Sequence, residues 1–276
     1  MPAPQDVSEH YTHGNLTAAI SAGVRSLGKT INSVSVEDLA SVDEFHIGGR
    51  QATVDLLDQL GFSAKNHLLD VGCGLGGAAR FSATRYQCRV TGIDLTDEYV
   101  ETGRVLCGWV GLGDRVSLHQ GSALSMPFAD GAFDGAYMLH VGMNIEDKTT
   151  LCAEVSRVLR SGAMFGIYDV MRTGDGELTY PVHWAETDAA SAVREPEHYK
   201  EALRAAGFVI VRERNRRDFA IAFFEQLRAT AAASGGPPPL GLHILMGKTT
   251  PIKVKNMIEN VSTGRVSPVE LIARKA

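Results

Sequence analysis

Two acidic residues and a run of glycines are the part of this sequence best suited to hold a ligand. Leu68-Leu69-Asp70-Val71-Gly72-Cys73-Gly74-Leu75-Gly76-Gly77 reads as a short apolar strand that runs into a glycine-rich turn and then a helix. Gly72 permits the tight turn, Gly74 lets a ligand approach the backbone, and Gly77 allows helix and strand to pack closely. A second carboxylate, Asp94, ends the next apolar run 24 residues after Asp70, a separation that suits a grip on ribose hydroxyls. Gly72-x-Gly74-x-x-Gly77 also fits the dinucleotide fingerprint, so the glycines alone leave the ligand open. Asp70 stands where a pyrophosphate would otherwise lie. A carboxylate there repels a dianion and suits a ligand carrying an ammonium and a sulfonium.

Other residue types could act on a second substrate. His140 and Asn144 follow an apolar run, His46 stands in Glu44-Phe45-His46-Ile47-Gly48-Gly49, and Trp184 stands in Tyr180-Pro181-Val182-His183-Trp184-Ala185. A histidine can orient or deprotonate a reacting group. Asparagine can hydrogen-bond a substrate, and an aromatic face can sit against an alkylammonium group.

The elements that would position these residues alternate. Strands are expected over His67–Val71, Arg89–Asp94, Arg115–Gln120, Phe133–Leu139 and Ala163–Val170, with helices over Gly77–Arg85, Asp97–Val110 and Lys148–Leu159. Short apolar strands separated by helices imply βαβ units and a parallel sheet covered on both faces. Earlier helices are expected over Leu16–Leu27 and Gln51–Leu60. After Val170 the alternation breaks into a helix over Pro196–Ala206, a strand over Phe208–Arg214, a mostly helical Asp218–Gly264 bent at Ser234–Gly241, and a last strand over Pro268–Arg274.

At this point the sequence resembles the class I S-adenosylmethionine-dependent methyltransferases, in the type 11 small-molecule group. The resemblance spans Phe45 to Phe208. It rests on the acidic-x-Gly-x-Gly-x-Gly signature at Asp70–Gly76, on Val90–Thr96, on Gly121–Lys148 and on Glu154–Asp169. It implies S-adenosylmethionine as cofactor. Asp70, Gly72, Cys73, Gly74 and Gly76 would hold its methionine part, Asp94 the ribose and Leu95 the adenine. Ser122 stands where the family carries an Asp toward the adenine amino group, and Ala123 would serve through its amide. Leu139, at the end of the fourth strand, and Tyr11, in an N-terminal lid, complete the cofactor set. His140, His46 and Asn144 would serve the acceptor. The nearest named likeness is to glycine, sarcosine and dimethylglycine N-methyltransferases, through the general motifs and the Tyr180–Ala185 segment, so an amine acceptor is expected, with O-, C- or S-methylation as alternatives.

The implied fold is an α/β, Rossmann-like seven-stranded sheet: five parallel strands plus a C-terminal antiparallel hairpin, with helices on both faces. One domain over 1–276 is expected, with lid helices in 1–60, a cofactor-binding core in 61–217, a helical insertion in 218–264 covering the acceptor site, and the last strand in 265–276. Phe219, Phe223, Phe224 and Leu227 in that insertion are expected to pack rather than touch substrate.

Bulk properties narrow the alternatives. With 44% apolar and 21% charged residues the chain can bury a core, and a formal charge of −5 with a pI near 6.0 disfavours nucleic acid as partner. Arg212, Arg214, Arg216 and Arg217 form the densest basic cluster and are expected to be solvated. The four cysteines form no CxxC pair, so no metal is expected. The first residues lack a signal-peptide layout and no long apolar run occurs, so a cytoplasmic chain without membrane contact is expected, with a small-molecule substrate and a possible homodimer. A nicotinamide-dependent oxidoreductase competes but lacks a Tyr-x-x-x-Lys pair, and a non-catalytic cofactor-binding module remains the third alternative.

Overall fold

The structure, a computed structural model, describes residues 4–12, 14–234 and 238–276, with the side chains of 4–6 and 234 left out. Part of the expected bend at Ser234–Gly241, residues 235–237, lies outside them. Four helices precede the sheet: α1 (Pro4–Tyr11), α2 (Leu16–Ser26), α3 (Val36–Asp43) and α4 (Gly49–Leu57). Then follow β1 (His67–Val71), α5 (Gly77–Arg85), β2 (Arg89–Asp94), α6 (Asp97–Trp109), β3 (Val116–Gln120), β4 (Phe133–Leu139), α7 (Lys148–Val158) and β5 (Leu159–Arg172). The chain continues through α8 (Pro196–Ala205), β6 (Phe208–Asn215), α9 (Arg217–Ser234), α10 (His243–Met246), α11 (Thr250–Ser262) and β7 (Val266–Lys275).

The seven strands form one sheet in the order β3-β2-β1-β4-β5-β7-β6. β1 to β5 run parallel, and β7 pairs antiparallel with both β5 and β6. The expected fold class is the observed one. Strand β1 is central, which explains why Leu68, Leu69 and Val71 are fully buried and why its sequence is apolar rather than alternating. One face of the sheet packs Val155 and Val158 of α7 and Leu203 of α8, and the other packs Leu56 and Leu57 of α4 and Ala79 of α5.

Helices α1 and α3 were not foreseen. They are short, and α3 is set by a capping box in which the Ser35 side chain accepts from the Asp38 amide while the Asp38 carboxylate accepts from the Ser35 amide. Strand β5 extends beyond its expected ends, with a register shift opposite Phe133 and Gly135. Gly77 also departs from expectation: a Cβ there would stand 2.4 Å from the Asp43 Cβ, so its smallness lets α5 approach α3 rather than the strand.

Of the basic cluster, Arg212 and Arg214 are exposed as expected, and Arg216 is the correction. Arg216 is buried and ion-paired with Asp55 at 2.6 Å and Glu270 at 3.0 Å, and its guanidinium lies 4.1 Å from the centre of the Phe219 ring. Arg214 pairs with the same Glu270 at 2.9 Å. The physical cause is Glu270, a fully buried carboxylate in β7 that demands compensating charge. All four cysteines are free and buried. Among the described residues no helix is long and apolar enough to cross a membrane, and no group of three or more His, Cys, Asp or Glu is placed to hold a metal.

Candidate active site

A cavity of about 330 Å³ opens at the carboxyl ends of the parallel strands, where ligands of open α/β sheets bind. The expected site residues Tyr11, His46, Asp70, Gly72, Cys73, Gly74, Asp94, Leu95, Ser122, Ala123, Leu139, His140 and Asn144 all line it. Gly76 does not. It caps α5 in a left-handed conformation, and a Cβ there would come within 2.8 Å of Leu118, so its role is packing.

The glycine-rich turn explains itself locally. Gly72 has φ +70° and a Cβ on it would stand 2.4 Å from Val141, so the turn lies flush against the loop after β4. Gly74 has φ +53° and meets nothing closer than Tyr99 at 3.8 Å, so its backbone is open on the cavity side. The Asp94 carboxylate accepts the Gly74 amide at 2.8 Å and the Thr96 amide at 2.9 Å, and each oxygen keeps a lone pair for a ligand.

Several buried polar atoms around the cavity have no hydrogen-bond partner among the described residues. They include Asp70 Oδ2, the Tyr99 hydroxyl and His140 Nε2. Each such atom costs roughly 1–3 kcal/mol if nothing satisfies it, and three at one cavity mark a place for a polar ligand. Burial pushes the Asp70 carboxyl well above its usual range, against a hydrogen bond from Tyr137. A cationic partner would reverse that shift.

At the other end of the cavity the histidines gather. His140 follows β4 in the left-handed region, φ +53°, and its ring stacks on Tyr168 with 5.1 Å between centroids. The His46 ring stands edge-on to His140 at 5.8 Å. His183, which lines the same space, was not singled out from the sequence. Burial lowers His46 and His183 to about 4 and His140 well below its ordinary value, so all three imidazoles are neutral near pH 7. Tyr11 and Asn144 meet directly, the tyrosine hydroxyl donating to Asn144 Oδ1 at 3.4 Å. The loop that carries Asn144 is pinned from behind: the buried Lys148 ammonium donates to the carbonyls of Gly142 at 2.8 Å, Ala192 at 3.0 Å and Ile145.

The remaining wall is apolar. Trp184, Val170 and Met143 meet Phe223, Phe224 and Leu227 of α9, Leu245 of α10 and Met257 of α11. Phe223 and Phe224 pack with Val170, Trp184 and Met257 as expected, and with Leu227 they also line the cavity. Phe219 does only pack, against Gly48 and Arg216. Helical spacing could not separate these roles, because α9 puts one turn on the core and another over the opening. The Trp184 indole N–H is taken up by Ser191 at 2.9 Å.

Comparison with known proteins agrees with this arrangement. A family profile described as "Methyltransferase domain" matches residues 69–167, from β1 into β5. An O-methyltransferase of Aspergillus sclerotiorum is 30% identical over 185 residues, 66% of this chain and 69% of its own length. A geranyl diphosphate C-methyltransferase of Streptomyces coelicolor, solved with Mg²⁺, geranyl-S-thiolodiphosphate and S-adenosyl-L-homocysteine, superposes over 100% of both chains with a TM-score of 0.72 at 19% identity. A structure described as a sarcosine dimethylglycine methyltransferase, from Galdieria sulphuraria, covers 82% of this chain and 85% of its own with a TM-score of 0.66 at 19% identity. At those identities the structural likeness speaks for the fold, and the sequence relationship carries the chemistry. The chain therefore belongs to the class I methyltransferases and is an enzyme that uses S-adenosylmethionine.

Proposed function

We propose that this enzyme methylates a hydroxyl group of a small, largely apolar acceptor. The carrying observation is the contrast between the two ends of the cavity. On the glycine side, unpartnered Asp70 Oδ2 and the open Gly74 backbone fit the ammonium and carboxylate of the cofactor's methionine part. Asp94 would take the ribose hydroxyls, with Leu95, Ser122 and Ala123 around the adenine. Ser122 already accepts the Leu124 amide at 3.1 Å and has a second lone pair to offer.

On the histidine side the carboxylates in the wall are already committed. Glu44 is ion-paired with Arg50 at 3.1 Å and accepts from Thr53, Glu146 is paired with Arg194, and Asp147 caps α7 through the Thr150 amide. Asp43, in the same wall, is paired with Arg80 at 2.5 Å, so an alkylammonium would have to compete with an arginine for three of these carboxylates and with the helix cap for Asp147. A neutral, apolar molecule with one polar end toward His46, His140 and His183 matches the lining. Bound S-adenosylmethionine supplies an already activated methyl group, which leaves the protein to align the nucleophile, exclude water and take up a proton.

The amine acceptor expected from the Tyr180–Ala185 segment would have to enter uncharged and is the second reading, favoured only by Trp184 in the cavity wall. Incubation with methyl-labelled S-adenosylmethionine and a panel of phenols, aliphatic alcohols and amines of matched apolar size separates the two. Label recovered as a methyl ether supports the hydroxyl reading, and label found only on nitrogen overturns it.

A further inference from the structure

The turn before α4 holds His46 in a way that dictates which ring nitrogen is free. Nε2 lies 3.1 Å from the carbonyl oxygen of Gly49 and 3.0 Å from the Thr53 hydroxyl. A carbonyl can only accept, so Nε2 must carry the hydrogen. The Thr53 hydroxyl has one hydrogen, which it donates to Glu44 Oε2 at 2.6 Å, so toward the imidazole it too can only accept. Both contacts therefore require the same tautomer. A neutral imidazole has a single N–H, which leaves the lone pair on Nδ1. No described residue bonds Nδ1, while His46 as a whole lines the cavity.

The local fold makes this arrangement rigid. Gly48 and Gly49 take positive φ, +92° and +49°, which folds His46 back over the first turns of the helix that follows it. Thr53 is fully buried and Glu44 nearly so. The groups packed around the ring are Glu44 and Arg50 beside it, Thr53 of α4, His140 after β4 and Tyr168 of β5. Tyr168 spends its hydroxyl on the Ile47 carbonyl at 3.0 Å, which fixes the turn from the sheet side.

We propose that His46, through Nδ1, takes the proton of the acceptor hydroxyl, and that Glu44 and Thr53 are positioning residues that hold it in the required tautomer. This rests on the hydroxyl-methylation reading above. As the acceptor oxygen forms its bond to the methyl carbon, the carbon–sulfur bond breaks with its electron pair staying on sulfur. The O–H proton moves to Nδ1, and the imidazolium so formed later returns it to solvent. Glu44 Oε2, 3.4 Å from Nε2, offsets the transient positive charge. A methylated hydroxyl that still holds its proton is a strong acid, so even an imidazole made weakly basic by burial suffices.

The tautomer can be read on the enzyme alone. In long-range ¹H–¹⁵N spectra near neutral pH, with His46 assigned by loss of its signals in His46→Gln, Nε2 should be the protonated nitrogen and Nδ1 the bare one. Finding the hydrogen on Nδ1 overturns the proposal. With whichever phenol or alcohol of the panel is turned over, His46→Gln should lower kcat by about 100-fold or more, the scale of general-base catalysis, with acceptor KM changed less than about twofold. Unchanged kcat would overturn the base role. Thr53→Val should lower kcat by about tenfold at constant KM, with the Gly49 carbonyl still holding the hydrogen on Nε2, and Thr53→Ser should restore kcat. A Thr53→Val enzyme with wild-type kcat sinks the relay. A wild-type protein with the Nε2–H tautomer that methylates no hydroxyl overturns the function and the base role while leaving the hydrogen-bond geometry standing.

Discussion

The Asp94 carboxylate and the Gly74 amide, 2.8 Å apart, join the end of β2 to the crest of the glycine-rich turn. One carboxylate thus shapes the loop and faces the cavity. Asp94→Asn should weaken S-adenosyl-L-homocysteine binding by roughly 1–3 kcal/mol, about 5- to 150-fold in Kd, because the side-chain amide keeps one acceptor and loses the charge. Titration calorimetry checks this, and an unchanged Kd removes Asp94 from the ribose.

Arg80 is wholly buried in α5 and pairs with Asp43 of α3 at 2.5 Å while donating to the Leu75 carbonyl at 2.7 Å. It ties the N-terminal helices to the turn. Arg80→Leu should cost about 3–5 kcal/mol in denaturant unfolding, since it strands Asp43 without a counter-charge. Adding Asp43→Leu should recover part of that loss.

His140 separates substrate handling from backbone strain. His140→Ala should lower kcat by about tenfold, the worth of one lost hydrogen bond, with cofactor Kd unchanged. At φ +53° the position suits glycine, so His140→Gly should unfold at higher denaturant than His140→Ala, by about 1 kcal/mol. Equal turnover of His140→Ala and wild type would leave the histidine a purely structural role.

Acid should destabilise the fold through the cavity histidines. His46 and His183 have ordinary values near 6.5 and burial lowers both to about 4, so the unfolded chain binds more protons between those limits. Stability is then full above pH 6.5 and falls as pH drops toward 4. Asp169, raised to about 6 by burial, works in the opposite direction over its own window, and burial raises Asp43, Glu44, Asp70 and Asp94 in the same sense, so the histidine contribution is read as a difference between wild type and a histidine variant. In denaturant unfolding at pH 7, 6, 5 and 4.5, wild type should lose more of its midpoint toward acid than His183→Gln does. Parallel midpoints for wild type and His183→Gln over that range contradict the burial of the His183 ring.

Much of the fold was legible because strand burial and turn chemistry are local. A strand covered on both faces must be apolar throughout, so His67–Val71 and Phe133–Leu139 declared themselves with the observed bounds. Asp70, Asp94 and the glycines could be read because a ligand-holding turn needs those residue types within a short stretch of chain.

What only the tertiary structure decided depends on distance in sequence. The relay from Glu44 through Thr53 to His46 exists because two left-handed glycines reverse the chain, and no helical or strand period signals that. The pairing of Arg216 with Asp55 and Glu270 joins three elements, and turned an apparently solvated charge into a buried one. Phe223 and Phe224 face the cavity because α9 and α11 meet above the strand ends. By itself the sequence determined the cofactor and the sheet, since both rest on local residue chemistry. The acceptor end, built from side chains far apart along the chain, took form only once packing brought them together.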